Sequence, residues 1–353
     1  MDLIIFKRTG DHQYHFGQND LEDTFQHIQS DTLFSAIINC YAMLYSQAEV
    51  AGLIERFREG NIRISSGFPS LAAEGGYRVF FLPKPMTYHR VQGANVKRIK
   101  SIKFISAGLW RKGVSAQELL DQPILGGRFA MTEEERDQLG LPQAPVLLKR
   151  LKPLSSDLHP KVRVHARNQE DVFYHQAVVQ LNELHPKGVA PIQTQFYSIL
   201  DSQLTGDEDK RFKGALHLLG DEGIGGERST GKGQIDEINI LPGADGLFQP
   251  EQPVAKHCSI SLTIPAGKAE FDLISQYDLT IRGGGSLGKY KSHERHRQQI
   301  RMIKEGAILQ QPIKGKIEDL RPQVQNGGSD IPLPIYRYGH CFSLPFEARK
   351  TTT

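Results

Sequence analysis

Residues 3–8, Leu-Ile-Ile-Phe-Lys-Arg, open the chain with a short apolar run of strand length, the pattern of a buried first strand. After Ser30 the period changes. Leu33, Phe34, Ile37, Ile38, Tyr41, Leu44 and Tyr45 recur at helical spacing, so one face of a helix is core, and Ser30 or Asp31 is suited to cap its N-terminus. Gly52 and Gly60 punctuate the next stretch, with a second helical piece expected at 54–58. Residues 61–69 and 77–85 read as two strands with Gly75-Gly76 as the turn between them. Strand, helix, strand, strand is the first half of a ferredoxin-like unit.

The chain then turns basic. Lys97-Arg-Ile-Lys-Ser-Ile-Lys-Phe104 places four cations in seven residues, interleaved with Ile99, Ile102 and Phe104. Two readings stand side by side: a surface strand with charged outer positions, or a stripe of Lys97, Arg98, Lys100 and Lys103 that tracks a phosphate backbone. A short helix and an acidic one at 132–139 come next, and Pro142, Pro145 and Pro153 mark a stiff connection. The expected domains are therefore 1–150 and 151–353. Lys161, Arg163, His165 and Arg167 open the second half. Alternation puts Arg163, His165 and Arg167 on one face of any strand, with Val162 and Val164 on the other. Further strands are expected at 173–181, 193–200, 258–264, 278–282 and 336–342, with a helix at 209–219. The expected class is α+β.

Between that helix and a strand-like run at 234–241 lies Gly223-Ile-Gly-Gly-Glu-Arg-Ser-Thr-Gly-Lys-Gly-Gln234, five glycines, two cations and two hydroxyls in twelve residues. Glycine tolerates positive φ and lets another molecule approach the backbone, and successive N–H groups in such a loop form an anion-binding concavity. Gly226–Lys232 matches G-x-x-x-x-G-K, but Gly233 stands where a P-loop carries the Mg²⁺-binding hydroxyl. The order is also inverted, because a P-loop follows a strand and opens a helix. An ordinary surface turn has a similar composition, so the loop alone decides little.

The chain has 353 residues, 39% hydrophobic and 24% charged, with a net charge of +3. This is ordinary globular composition, long enough for two cores, and mildly basic balance permits a nucleic-acid partner without demanding one. Cys40, Cys258 and Cys341 form no metal or disulfide spacing, and Cys40 falls on an apolar helix face. No metal and no cofactor are expected. No apolar run approaches the roughly 20 residues that span a bilayer, and the N-terminus has no signal-peptide layout. The expected compartment is the cytoplasm.

Together, the helix followed by G-x-G-G-x-x-S-x-G-x-G on strand-rich halves resembles the RAMP superfamily of CRISPR proteins. Ser30-Asp-Thr-Leu-Phe-Ser-Ala-Ile37, Ser66-Gly-Phe-Pro69, Phe81-Leu-Pro-Lys-Pro85, Ile102-Lys-Phe-Ile-Ser106 and Tyr336-Arg-Tyr-Gly339 narrow the match. The chain is similar, from first strand to last, to the family of fourth subunits of the type III-A (Csm) effector complex. That resemblance implies two ferredoxin-like (RRM-like) RAMP domains in tandem, with the glycine-rich loop and inserted segments. It implies a non-catalytic antiviral-defence subunit that caps the 5′ end of the complex and binds the repeat-derived 5′ tag of the crRNA. Its implied partners are the large polymerase-type subunit and the neighbouring backbone RAMP subunit. At 165–169 the chain reads His-Ala-Arg-Asn-Gln where the family pattern is closer to Ile-Asp-Arg-Thr, so Arg167 is retained and the acid is not.

Single-stranded RNA is recognised through splayed bases, stacking and backbone contacts. The expected RNA-binding set is Gly223, Gly225, Gly226, Arg228, Ser229, Thr230, Gly231, Lys232 and Gly233 of the loop, with Lys97, Arg98, Lys100 and Lys103 supplying sequence-independent affinity. Arg167 and Ser30 complete it, Ser30 through a helix N-terminus near the bound strand. A rival is a RAMP endoribonuclease that cleaves precursor crRNA, which needs an acid–base group beside the scissile phosphate. His12, His15, His27, His165 and His175 are its candidates. A second rival is a protein-only scaffold whose glycine loops shape a subunit interface.

Overall fold

The computed structural model describes residues 1–17, 24–90, 95–163, 172–283, 299–321 and 334–349. In chain order it starts with β1 (Asp2–Lys7), β2 (His12–Tyr14), α1 (Ser30–Leu44), α2 (Gln47–Glu59), β3 (Ile62–Ile64), β4 (Phe68–Ala72) and β5 (Arg78–Pro83). Then come α3 (Val96–Ser101), β6 (Phe104–Ser106), α4 (Ala107–Lys112), α5 (Ala116–Asp121), β7 (Ile124–Leu125), β8 (Phe129–Ala130), α6 (Glu133–Gln138) and α7 (Pro145–Arg150). A long hairpin of β9 (Leu154–Arg163) and β10 (Val172–Leu181) precedes β11 (Gln193–Ser202), α8 (Gly206–Glu222) and β12 (Glu237–Pro242).

The main sheet has nine strands, ordered β12-β1-β11-β4-β5-β6-β8-β7, with β3 also on β11. β1 is buried along Leu3–Phe6 and needs a hydrogen-bonded neighbour on each side. It finds both far along the chain: Asp2↔Leu200 to Phe6↔Phe196 on β11, and Asp2↔Pro242 to Lys7↔Glu237 on β12. Taken as β1, α1, β3–β4, β11, α8 and β12, the chain follows the order βαββαβ with strands side by side as 4-1-3-2, and α1 packs on α8. Residues 193–242 thus complete the unit that residues 1–72 begin, and β5 through β10 are inserted in it. The expected division at 150/151 falls inside this insertion. The glycine loop belongs to the unit opened by β1 rather than to a separate C-terminal half.

Two local readings are corrected. Residues 97–104 are not a strand throughout: α3 takes 96–101 and β6 begins at Phe104. Ile99, Ile102 and Phe104 are buried while Lys97, Arg98, Lys100 and Lys103 are exposed, and one helical turn serves that division as well as alternation does. Ser30 and Asp31 do not cap α1; Gln29 holds the cap position without a side-chain bond. By contrast α2 has a full capping box of Ser46 and Glu49 and ends on Gly60 in the left-handed region.

The remaining chain adds β13 (His257–Ser259), α9 (Lys268–Asp272), β14 (Ile274–Gln276), β15 (Leu279–Arg282), β16 (Ile300–Ile303), β17 (Ile308–Leu309), β18 (Glu318–Asp319), β19 (Tyr336–Arg337) and β20 (Ser343–Pro345). The expected strand at 336–342 is only the short β19. Tyr338 then turns inward, where its ring stacks on Phe34 and its hydroxyl accepts from the Ile64 N–H at 3.1 Å. The main core draws residues from Leu3 to Phe346, and two smaller clusters, around Ile303 and around Leu262, lie within the last hundred residues. Cys40, Cys258 and Cys341 are buried free thiols. Among the described residues no helix is long and apolar enough to cross a membrane.

Candidate nucleic-acid interface

The loop leaves α8 at Gly223 and closes on itself. The Ile224 N–H donates to Gly233 O at 2.8 Å, the Gly233 N–H to Gln13 O at 2.9 Å, and the Gly226 N–H to His15 O at 2.9 Å. A Cβ at Gly223 would meet Gly233 O at 2.5 Å, one at Gly233 would meet Ile224 O at 2.1 Å, and one at Gly225 would meet His15 O at 2.7 Å. The molecule approaching these glycines is therefore the chain's own backbone beside β2. Gly226 is crowded by the His15 ring. Gly231 differs: it has φ +85° and nothing within 4 Å.

The outer rim, Arg228, Ser229, Thr230 and Gly231, is exposed. Glu227 starts it at φ +60°, the one non-glycine residue with positive φ among those described. Several bonds stabilise that conformation, among them Thr230 Oγ1 donating to Glu227 O at 2.8 Å, the Thr230 N–H donating to the same oxygen at 3.0 Å, and Lys161 Nζ of β9 pairing with the Glu227 carboxylate at 2.5 Å. The Lys161 bond holds Glu227 below the usual carboxylate range. Lys232 points the other way from the rim. It is buried, its Nζ donates to Gln176 Oε1 of β10 at 3.2 Å, and burial followed by the Lys161 charge lowers its pKa. Arg228 stays outside, with Nη1 at 3.1 Å from both the carbonyl and the carboxylate of Glu222.

The hairpin is thus pinned to the loop through Lys161 and Gln176 on one face. On its opposite face Leu158 and Val162 of β9 and Phe173 of β10 are exposed, with Phe173 directly across from Val162. Loop rim and apolar face flank the same two strands. The sequence reading noted Lys161 as a cation but missed this exposed face; the alternation of Leu158, Val162 and Phe173 was its signal. Lys97, Lys100 and Lys103 are exposed and have no carboxylate partner among the described residues, while an Arg98 guanidinium N–H donates to Leu120 O at 3.2 Å. Arg167 and His165 lie outside the described residues.

The histidines are engaged. His12 accepts from Arg8 Nε at 2.8 Å on Nδ1 and directs Nε2 to Thr9 O; burial lowers its pKa, which fits a neutral ring. His15 Nδ1 lies 2.8 Å from Ala177 O and the ring is buried. His27 stacks on Phe68 and sits 3.2 Å from the Glu305 carboxylate, and His175 packs edge-on to Phe173.

Residues 252–346 match the family described as the CRISPR Csm4 C-terminal domain. The whole chain is 22% identical to the CRISPR system Cms protein Csm4 of Methanocaldococcus jannaschii, over 99% of each. The chain is thus similar to Csm4 along its whole length, and residues 252–346 match the Csm4 C-terminal domain. Its fold is similar to that of a chain in the crystal structure of the Csm3–Csm4 subcomplex of the type III-A CRISPR–Cas interference complex, at TM-score 0.66 and 22% identity over 98% of this chain and 100% of that one. A chain of the Csm1–Csm4 cassette in complex with cA4 is similar at TM-score 0.53 and 16% identity, over 99% and 100%.

The Csm4 C-terminal domain also explains what happens at the start of α1. Ser30 is fully buried, and its hydroxyl accepts from the Leu262 N–H at 3.1 Å while its own N–H donates to Ser66 Oγ. Its placement beside a bound strand is corrected: this helix start faces protein. Asp31 is equally buried and accepts from Arg282 Nε at 2.9 Å and Nη2 at 3.0 Å and from Arg337 Nη1 at 2.5 Å. Burial alone would raise its pKa, but Arg282 and then Arg337 hold it below the usual carboxylate range. Glu305 binds Ser66 and His27 in the same region. The sequence signal for this joint was the unusual Ser-Asp pair opening an apolar helix.

Proposed function

We propose that this Csm4-like chain is a non-catalytic RNA-binding subunit of a type III-A CRISPR interference complex, bound in the cytoplasm to the repeat-derived 5′ tag of the crRNA. Its neighbours in this reading are a large polymerase-type subunit of the Csm1 kind and a backbone RAMP subunit of the Csm3 kind, the two proteins found with Csm4 in the similar structures. The βαββαβ unit is the first of two ferredoxin-like RAMP domains, and residues 252–346 are the second.

One observation carries the RNA assignment: an exposed rim of Arg228, Ser229, Thr230 and Gly231 is braced by Lys161 against a hairpin whose other face exposes Phe173. Donors for phosphate and 2′-hydroxyl on the rim are what a single-stranded RNA backbone requires, and Phe173 across the hairpin offers a separate stacking surface. His12 has both ring nitrogens engaged and His15 is buried, which favours this over the endoribonuclease reading, because a general acid or base needs a free nitrogen within reach of the scissile phosphate.

Ultraviolet crosslinking of the purified complex, with mass spectrometry of the peptides joined to the crRNA tag, tests the reading. Crosslinks in 223–234 or 97–104 are expected. Tag crosslinks confined to other subunits would move the chain to the scaffold role.

A further inference from the structure

Lys84 stands where β5 ends, and its backbone N–H donates to Lys103 O at 2.9 Å, so two lysines face each other across the ladder. Lys84 is only 7% exposed. Its ammonium has three donors, and among the described residues it uses one, on Ile99 O. No carboxylate pairs with it there. A lysine enclosed this way is costly unless an anion joins it.

A histidine and two more lysines lie in the same region. His89 lies in the turn Met86–Arg90, Lys100 in the last turn of α3, and Lys103 just before β6; all three side chains are exposed. Lys84, Lys103 and Lys100 all act on His89 electrostatically, and among the described residues the carboxylate that does so is Asp278. Asp278 is already engaged by Lys304 Nζ at 2.8 Å and by the Leu279 N–H at 2.9 Å. The cluster has a surplus of positive charge and an inward-facing ammonium without an acid.

We propose that Lys84, His89, Lys100 and Lys103 form an anion site that takes a backbone phosphate of bound RNA, separate from the glycine loop. This rests on the RNA-binding reading above. Burial and then Lys103 push Lys84 down to about 8, and burial and then Lys84 hold His89 below its ordinary value. A phosphate reverses the charge contribution to both. Binding therefore takes up protons, and affinity falls as the pH rises through 8.

The test is fluorescence anisotropy of a labelled single-stranded RNA carrying the repeat tag, titrated with the full chain. For a Lys84 that is half-deprotonated near pH 8 when free and fully protonated when bound, affinity weakens roughly fourfold between pH 7 and pH 8.5. Lys84→Met, which keeps the side chain's length, is expected to flatten that profile. Lys103→Gln is expected to lower the slope of log affinity against log salt by about 0.7, the value for one phosphate on a single strand. Should Lys84→Met fail to fold, as judged by its melt, Lys103→Gln and His89→Gln decide the question through slope and pH profile. If these variants bind as the unaltered chain does while Arg228→Ala weakens binding, this site is wrong and the RNA-binding reading stands. If the unaltered chain holds no RNA, the reading fails and the site with it.

Discussion

Arg228 is 48% exposed opposite a Glu222 that is 36% exposed, whereas Arg337 is 6% exposed opposite an Asp31 that is fully buried. Both are arginine–carboxylate pairs, and each has one member in a stretch expected to face RNA, the glycine loop for Arg228 and the start of α1 for Asp31. Their surroundings give them opposite work. In water the pair at the loop contributes little and can exchange its carboxylate for another anion. At the start of α1, Asp31 has already lost its water, and removing either partner strands a charge in a poor solvent. The same residue types therefore leave one end of the chain's βαββαβ unit available and lock the other to the Csm4 C-terminal domain.

The sharpest way to break this comparison is Asp31→Ala. It leaves Arg282 and Arg337 without their shared carboxylate, and the expected loss of stability is about 3–5 kcal/mol, read from urea unfolding. A loss comparable with that of a surface pair would mean the joint is solvated. Acid probes the same joint without mutation. The folded pKa values of Asp31 and Glu305 are both lowered, by Arg282 and Arg337 in one case and by His27 and Ser66 in the other, against burial that would raise them. Each contributes stability that is complete above the unfolded carboxylate range of about 4 and is lost as the pH falls through its lower folded value. Asp31→Asn is expected to flatten that acid limb, and an unchanged limb would assign it to other groups.

The loop is next in size. Gly233→Ala drives a Cβ to 2.1 Å from Ile224 O at φ +71°, while Gly231→Ala meets nothing within 4 Å at φ +85°. Both incur left-handed strain of about 1–2 kcal/mol, but only Gly233→Ala also opens the ring against β2. A larger fall in melting temperature for Gly233→Ala than for Gly231→Ala is expected. Equal falls would show that φ alone sets the cost and that the closed ring contributes nothing.

Much of this was legible in the sequence. β1, α1 and the helix–loop–strand order around 223–234 stand out because their periods are clean and locally determined. The resemblance carried by the quoted motifs pointed to the family. Pairing at a distance was not legible: nothing in 2–7 says that its neighbours are 193–202 and 237–242, so Pro142–Pro153 looked like a domain boundary. Glycine was informative and ambiguous at once. It reports that something comes close to the backbone but not what, and here the closest atoms are the chain's own Ile224 O, Gly233 O and His15 O. Lys232 and Ser30 were misplaced for a related reason, since a polar side chain in a loop or helix start looks the same whether a ligand or another part of the chain satisfies it.

The smallest effect tests the exposed pair itself. If Arg228 is held in reserve by Glu222, the two residues compete for one guanidinium, and their substitutions must act in opposite directions on RNA affinity. Arg228→Ala removes a charge-assisted contact of about 1.5–3 kcal/mol, less what the free chain loses with the Glu222 bond, about 0.2–1 kcal/mol. Glu222→Gln removes the competitor, so binding is expected to tighten by at most that smaller amount, a few-fold in anisotropy titrations at low salt. The gain is expected to vanish in Glu222→Gln combined with Arg228→Ala, because there is then no guanidinium to release. Tightening that survives in the double variant would come from the lost negative charge near the RNA instead, and Arg228 would be a brace for the end of α8 rather than part of the rim that meets the ligand.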